Sequence, residues 1–207
     1  MFDWHHSRDM AGYGALGDLG THAIDLARFL IGEIVSVQAI SKTFISQRPI
    51  NGRPENHRRV DVDDVTLAVI SFSNGVIGTI EASWLTPGRT DSLGFEIYGS
   101  RGSLIFDSER LDELIVYLEG NKYIIGPQKV LVLRDVHPYM KNYWSNQAGG
   151  FRWEDTFTNE LHHFVECLTQ ERTIDPEGAT FLDGFRNCKV MDAIIRSSME
   201  EKKIDVN

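Results

Sequence analysis

The 207-residue chain is long enough to bury a sizeable core, and its 42% hydrophobic, 25% charged and 10% aromatic residues are those of a soluble globular protein. Thirty acidic against 21 basic side chains give a net charge of −9 with no Lys/Arg run, which argues against nucleic acid and anionic membrane as partners. Its apolar runs fall far short of the ~20 residues of a spanning helix, and Met1–His6 has no signal-peptide pattern.

Residues 1–14 read as an irregular lead-in with Trp4 and Tyr13 as anchors. Adjacent His5 and His6 cannot both face one ion from a strand or helix, and no Cys or carboxylate stands at ligand spacing, so no metal is expected there. A helix is expected over about residues 15–31, with Leu19, Ala23, Leu26, Ala27 and Leu30 as its buried side and Gly32 as its C-cap. Residues 34–40 have strand composition.

Residues 46–60 are polar, hold Pro49 and Pro54, and carry arginines at 48, 53, 58 and 59. They are expected to form a solvated loop rather than an anion site. Next, Val65–Phe72 and Val76–Trp84 flank Ser73-Asn74-Gly75, where Asn-Gly predicts a type I′ hairpin turn with φ > 0 at both central residues. A second hairpin is predicted around Gly99–Gly102, followed by strands over 113–119, 122–125 and 129–133.

The aromatic stretch 134–153, with Tyr139, suits either a ligand pocket or a cover for a sheet edge. Phe157, Leu161, Phe164, Val165 and Leu168 recur at helical spacing and predict a helix over about 156–170. Glu160, His162 and His163 are expected to be a solvated face and a core-edge histidine. Thr180 and Asp183 fit a capping box for a last helix running to about Ser198. Cys167 and Cys188 are expected to be free, buried thiols in a reducing compartment, the cytoplasm.

The expected fold class is α+β, one domain over residues 1–207, with an open, mostly antiparallel sheet carrying helices on one face. Such a sheet leaves β-branched residues on its other face, so a homodimer or homotetramer through the sheet is expected.

The chemistry concentrates in Gly12–Gly32. At about 100° per residue, Asp18, His22 and Asp25 fall within roughly 60° of one another on a helix. A carboxylate one turn from an imidazole suits proton transfer. Three ligands from one helix rarely reach metal geometry. A structural role, with His22 in the core and Asp25 capping or pairing with Arg28, is equally consistent with the spacing. Gly12-x-Gly14-x-x-Gly17 matches a dinucleotide fingerprint literally, but no strand precedes it and no acidic residue ends a second strand about twenty residues on. The glycines would instead let the backbone turn tightly and approach a ligand.

The run Gly14–Ile34, with Val62-Asp63-Asp64, the Asn74-Gly75 hairpin, Tyr98–Leu104, Asp183-Gly184 and Ala193–Ser198, resembles the C-terminal domain of the glucose-fructose oxidoreductase / inositol dehydrogenase / MocA family. The resemblance implies an open-sheet domain that comes after a Rossmann domain binding NAD or NADP, in enzymes acting on a hydroxyl or carbonyl carbon of sugars, inositols and related polyols. It makes His22 the acid/base on the substrate hydroxyl, with Asp18 positioning substrate or histidine. Asp25 and Tyr139 are expected as weaker substrate contacts. The family's lysine in Glu-Lys-Pro and its dinucleotide fingerprint have no counterpart in these residues. The chain is therefore expected to be a C-terminal part that is inactive alone, its NAD or NADP held mainly by an absent domain. A non-catalytic sugar-sensing or oligomerisation module on the same fold is the alternative.

Overall fold

A buried, alternating strand sets the first unit of the fold. In a computed structural model of the chain, residues 1–50, 53–120, 126–132, 136–140 and 152–206 are described. They begin with a 3-10 turn (Trp4–His6), helix α1 (Arg8–Ala11) and a π-helical turn (Leu16–Gly20) running into α2 (Thr21–Ile31). Strands β1 (Ile34–Lys42), β2 (Gln47–Ile50), β3 (Arg53–Arg59), β4 (Val65–Phe72) and β5 (Ile77–Ser83) come next. Then come β6 (Gly94–Gly99), β7 (Gly102–Asp107), β8 (Glu113–Leu118), β9 (Gln128–Leu131), α3 (Trp153–Thr169), α4 (Phe181–Glu200) and β10 (Ile204–Asp205). Two compact units result: Met1–Pro87 with Ala179–Asn207, and Gly88–Gly178.

The first unit is built on an antiparallel sheet of order β10-β1-β4-β5. Pairs such as Ala39↔Ala68 and Ala68↔Ile80 put Val37, Ala39, Ala68, Ile70, Phe72 and Ile80 in the core. Leu16 and Ile24 from the helical entry, with Val190, Met191, Ala193 and Ile194 from α4, close that core from one side. Period 2 does the sorting, because the alternate residues of the same strands turn to the opposite face. There Ile40, Leu67, Val69 and Ile77 are exposed, at 48% to 76% of their surface. The open α+β sheet with helices on one face is as expected, although the strands divide among three sheets rather than extending one.

Residues 47–50 and 53–59 form a two-stranded antiparallel ribbon, with Arg48↔Arg58 and Pro49↔His57 paired, where a loop was expected. Both strands of a two-stranded ribbon are edges, so the missing N–H of Pro49 costs no ladder bond that a neighbour requires. The Pro49 carbonyl accepts from Phe2 N–H at 2.8 Å, and the Arg58 guanidinium lies 4.9 Å from the Phe2 ring.

The Asn74-Gly75 turn joins β4 to β5 as expected but is not type I′. Gly75 alone has positive φ, at 86°, and its N–H donates to the Phe72 carbonyl at 3.0 Å. Asn74 has no positive φ, and its Nδ2 donates to the Ile31 carbonyl at the end of α2. Gly32, with φ 132°, ends that helix as expected, while Leu30 is exposed rather than buried.

In the second unit, β6-β7-β8-β9 form an antiparallel meander. The predicted strand over 122–125 lies outside the described residues, as does most of the aromatic stretch after Met140. Helix α3 is present, but Phe157, Leu161, Phe164, Val165 and Leu168 are exposed, and His163 and Cys167 are its buried residues. Helical periodicity identifies an apolar side without saying what covers it. On α4 the Thr180–Asp183 capping box forms as predicted, while Leu182, Phe185 and Met199 are exposed. Both cysteines are free, and Cys188 is exposed rather than buried, since it sits on the solvent side of α4. No helix among the described residues is long and apolar enough to cross a membrane.

Candidate functional site

Of two buried aspartates between β3 and β4, Asp63 holds the glycine-rich entry in place. The carboxylate of Asp63 accepts from the N–H groups of Gly14 at 2.9 Å and Leu16 at 2.8 Å, and from the Thr66 hydroxyl at 2.9 Å. Its carbonyl accepts from Ala15 N–H. A helix start leaves N–H groups without intrahelical partners, and a negative charge there also meets the positive end of the helix dipole. Asp63 thus caps a helix from which it is nearly fifty residues away, at |i−j| 49 and 47. Fully buried Asp64 accepts from Phe44 and Ile45 N–H at 2.7 Å each and pairs with Arg48 at 3.3 Å. Its carbonyl accepts from Trp84 N–H at 2.9 Å.

Gly17 and Gly20 serve this packing. A Cβ on Gly17 would lie 2.8 Å from the Tyr13 Cβ. On Gly20 it would lie 2.9 Å from Leu16 Cδ1 and 3.3 Å from Ala82 Cβ. The Tyr13 hydroxyl donates to Asp192, and burial together with that carboxylate pushes its pKa above the usual phenol range.

Asp18 sits inside the π-helical turn and is exposed, and His22, also exposed, lies on the first turn of α2. Single π turns widen a helix locally and recur at functional sites. The partner the structure gives Asp18 is Trp84, whose indole N–H donates to Oδ2 at 2.8 Å. A core placement for His22 is not what the fold provides, because its side of the helix is open to solvent.

Asp25 belongs to a different group. Its Oδ1 accepts from Asn187 Nδ2 at 2.8 Å and lies 3.6 Å from Arg28, the pairing that the spacing also allowed. Buried Arg28 donates to both oxygens of Glu33 at 3.0 Å, to Asn187 Oδ1 at 2.7 Å and to Asp183. This network joins α2 to α4. The Thr180 hydroxyl and N–H, with Arg28 beyond them, hold the Asp183 carboxyl down at about 2. Arg28 likewise lowers Glu33 below the usual carboxylate range.

Tyr139, in the second unit, donates its hydroxyl to His163 Nδ1 at 3.1 Å, while His163 Nε2–H donates to the Ile174 carbonyl at 2.9 Å. His163 is the core histidine expected of α3, and Glu160 and His162 are solvated. His6 is buried, with its ring 5.6 Å from that of Trp84. Sequence reasoning does not single out Trp84 and His6 as parts of the site. Their only signals are an aromatic at the end of a predicted strand and a histidine in a lead-in.

Residues 1–105 match the GFO/IDH/MocA C-terminal domain. Levoglucosan dehydrogenase of Pseudarthrobacter phenanthrenivorans is 34% identical over 98% of this chain and 54% of its own length. Inositol 2-dehydrogenase of Rhizobium meliloti is 24% identical over 93% of this chain and 50% of its own length. The structure of levoglucosan dehydrogenase in complex with NADH and L-sorbose superposes with a TM-score of 0.92 at 36% identity, covering 100% of this chain and 54% of that one. The chain thus spans about half the length of the curated relatives it matches. Matched over half its residues and related over nearly all of them to a dehydrogenase, the chain belongs to the GFO/IDH/MocA family as a C-terminal domain.

Proposed function

We propose that this chain supplies the substrate side of the active site in an NAD(P)-dependent oxidoreductase acting on a hydroxyl of a sugar, an inositol or a related polyol. The observation that carries the reading is the pair Asp18 and His22, both exposed on a helix start that Asp63 and Trp84 hold rigid. His22 takes the proton of the substrate hydroxyl in oxidation and returns it in reduction, the acid/base work of an imidazole. Asp18 accepts a hydrogen bond from the substrate or from the imidazole. Asp25 is the weaker contact, since its Oδ1 already serves Asn187 and Arg28, and the Tyr139 hydroxyl serves His163.

The nicotinamide, when bound, accepts or gives the hydride. Gly14 and Gly17 do not fit as its phosphate cradle, since Asp63 and Tyr13 occupy the space that the missing Cβ atoms leave. NAD or NADP is therefore assigned to a dinucleotide-binding domain working with this chain, and the 207 residues alone do not turn over. The half-length match to a dehydrogenase solved with NADH supports that division. Cytoplasmic location is proposed with it, in keeping with the free thiols of Cys167 and Cys188.

The test assays the protein as its host makes it with NAD or NADP and a panel of levoglucosan, L-sorbose and inositol. His22→Ala should lower kcat/KM by about a hundredfold or more. Undiminished turnover sinks the role of His22, and micromolar NADH affinity of the 207-residue chain sinks the division of labour. A second reading, an oligomerisation or sugar-sensing module, draws on the exposed apolar sheet face of Ile40, Leu67 and Val69. That face also supports a homodimer or homotetramer alongside the enzymatic reading.

A further inference from the structure

Trp84 stands where three independent restraints meet. Its backbone N–H donates to the carbonyl of Asp64, a residue with no solvent exposure whose carboxylate is itself held by Phe44, Ile45 and Arg48. Its ring packs beside the His6 ring, with centroids 5.6 Å apart and planes at 57°. His6 is in turn fixed by Asp3, whose N–H donates to Nδ1 at 3.1 Å. The indole N–H, aimed by both, reaches Asp18 Oδ2 at 2.8 Å.

An indole is a donor only, and an ionised carboxylate is an acceptor only. The bond therefore matches donor to acceptor and fixes the rotamer of an otherwise exposed side chain. One N–H occupies one oxygen and leaves Oδ1 for a second donor. Packing from the other direction agrees: Gly20 lets the π-helical turn come within van der Waals reach of Ala82, two residues before Trp84. The end of β5 and the turn that carries Asp18 are thus joined twice.

From this geometry we infer that Trp84 is a positioning residue, holding the Asp18 carboxylate oriented toward the substrate hydroxyl or the imidazole of His22. The inference rests on the proposed role of Asp18 and His22. It deepens that role by naming the group that sets the geometry of Asp18. Loss of the donor is felt in the reaction step, because substrate still binds while Asp18 samples rotamers.

The experiment uses the protein as its host makes it, with whichever sugar of the panel turns over fastest, and compares Trp84→Phe, Trp84→His and His22→Ala. Trp84→Phe keeps an aromatic ring against His6 and removes the N–H. It should lower kcat by about ten- to a hundredfold with KM held within about twofold. Trp84→His, which restores a ring N–H, should recover part of the loss. In ¹⁵N spectra the Trp84 indole signal should move in Asp18→Ala. A rise in KM with kcat unchanged, a kcat loss that Trp84→His leaves untouched, or an indole signal indifferent to Asp18→Ala overturns the assignment while leaving His22 in place. Absence of turnover in the parent protein, or full activity in His22→Ala, fails the underlying reading and takes this assignment with it.

Discussion

A Cβ on Gly14 would lie 2.0 Å from the carbonyl oxygen of Asp63. Asp63 cannot step aside, because its carboxylate is spent on Gly14, Leu16 and Thr66. Gly14→Ala should therefore cost at least about 3 kcal/mol in urea unfolding, in the severe range for one substitution. Gly12→Ala is the control. Gly12 has φ +80° but open space around its Cβ, so only the backbone strain of about 1–3 kcal/mol for that sparsely populated conformation applies. Equal costs for the two would refute the close approach.

Gly184 points the other way. It lies in the interior of α4, exposed, with nothing within 4 Å of a built Cβ. Gly184→Ala should stabilise the chain by about 0.5–1 kcal/mol, through helix propensity alone. Calorimetry should show Tm rising by about 1–4 °C. A fall would mean that something covers this part of α4.

Acid should weaken the α2–α4 junction through Asp183. Its folded pKa, about 2, lies below the ordinary carboxylate value of about 3.9, so its contribution is complete above that value and drains away as pH falls toward 2. The amount is on the order of 1–2 kcal/mol. Asp183→Asn should lose that much stability at pH 6 and far less at pH 2.5. Depressed Glu33 acts in the same direction, so some acid sensitivity should survive in the variant. An unchanged pH profile would count against the Thr180 cap, and Arg28 beyond it, as what holds the Asp183 carboxyl down.

The outer face of the first sheet gives a test of association. Leu67 and Val69 alternate with buried Ala68 and Ile70 and are half-exposed. Leu67→Lys combined with Val69→Glu should leave the circular dichroism spectrum intact. Light scattering at micromolar concentration should move from a dimer or tetramer to a monomer. The same mass before and after would remove the sheet face as the interface.

Legibility in the sequence tracked the range of the interaction. The Thr180–Asp183 box, Gly32 at the end of α2 and the β4–β5 pairing were all readable, since each is decided within a few residues. The Asn74 conformation was not, and its side chain reaches Ile31 across 43 positions. Pro49 and the arginines hid the β2–β3 ribbon, whose strands tolerate both as edges. Asp18 and His22 announced themselves by spacing, whereas Trp84 lies 66 residues from Asp18 and carries no local mark of its use. Asp25 shared the spacing of Asp18 and His22, yet Arg28 and Asn187 claim it.

The π-helical turn at Leu16–Gly20 acts as a phase setter. It holds one residue more than an α turn would, so deleting a single residue there would let the helix close normally while rotating the segment before the turn by about 100° against α2. Tyr13, Asp63's donors and the Trp84 bond would then face the wrong way relative to His22. Length in this segment is consequently under tighter constraint than side-chain identity. A one-residue deletion should silence the site even where every named residue survives.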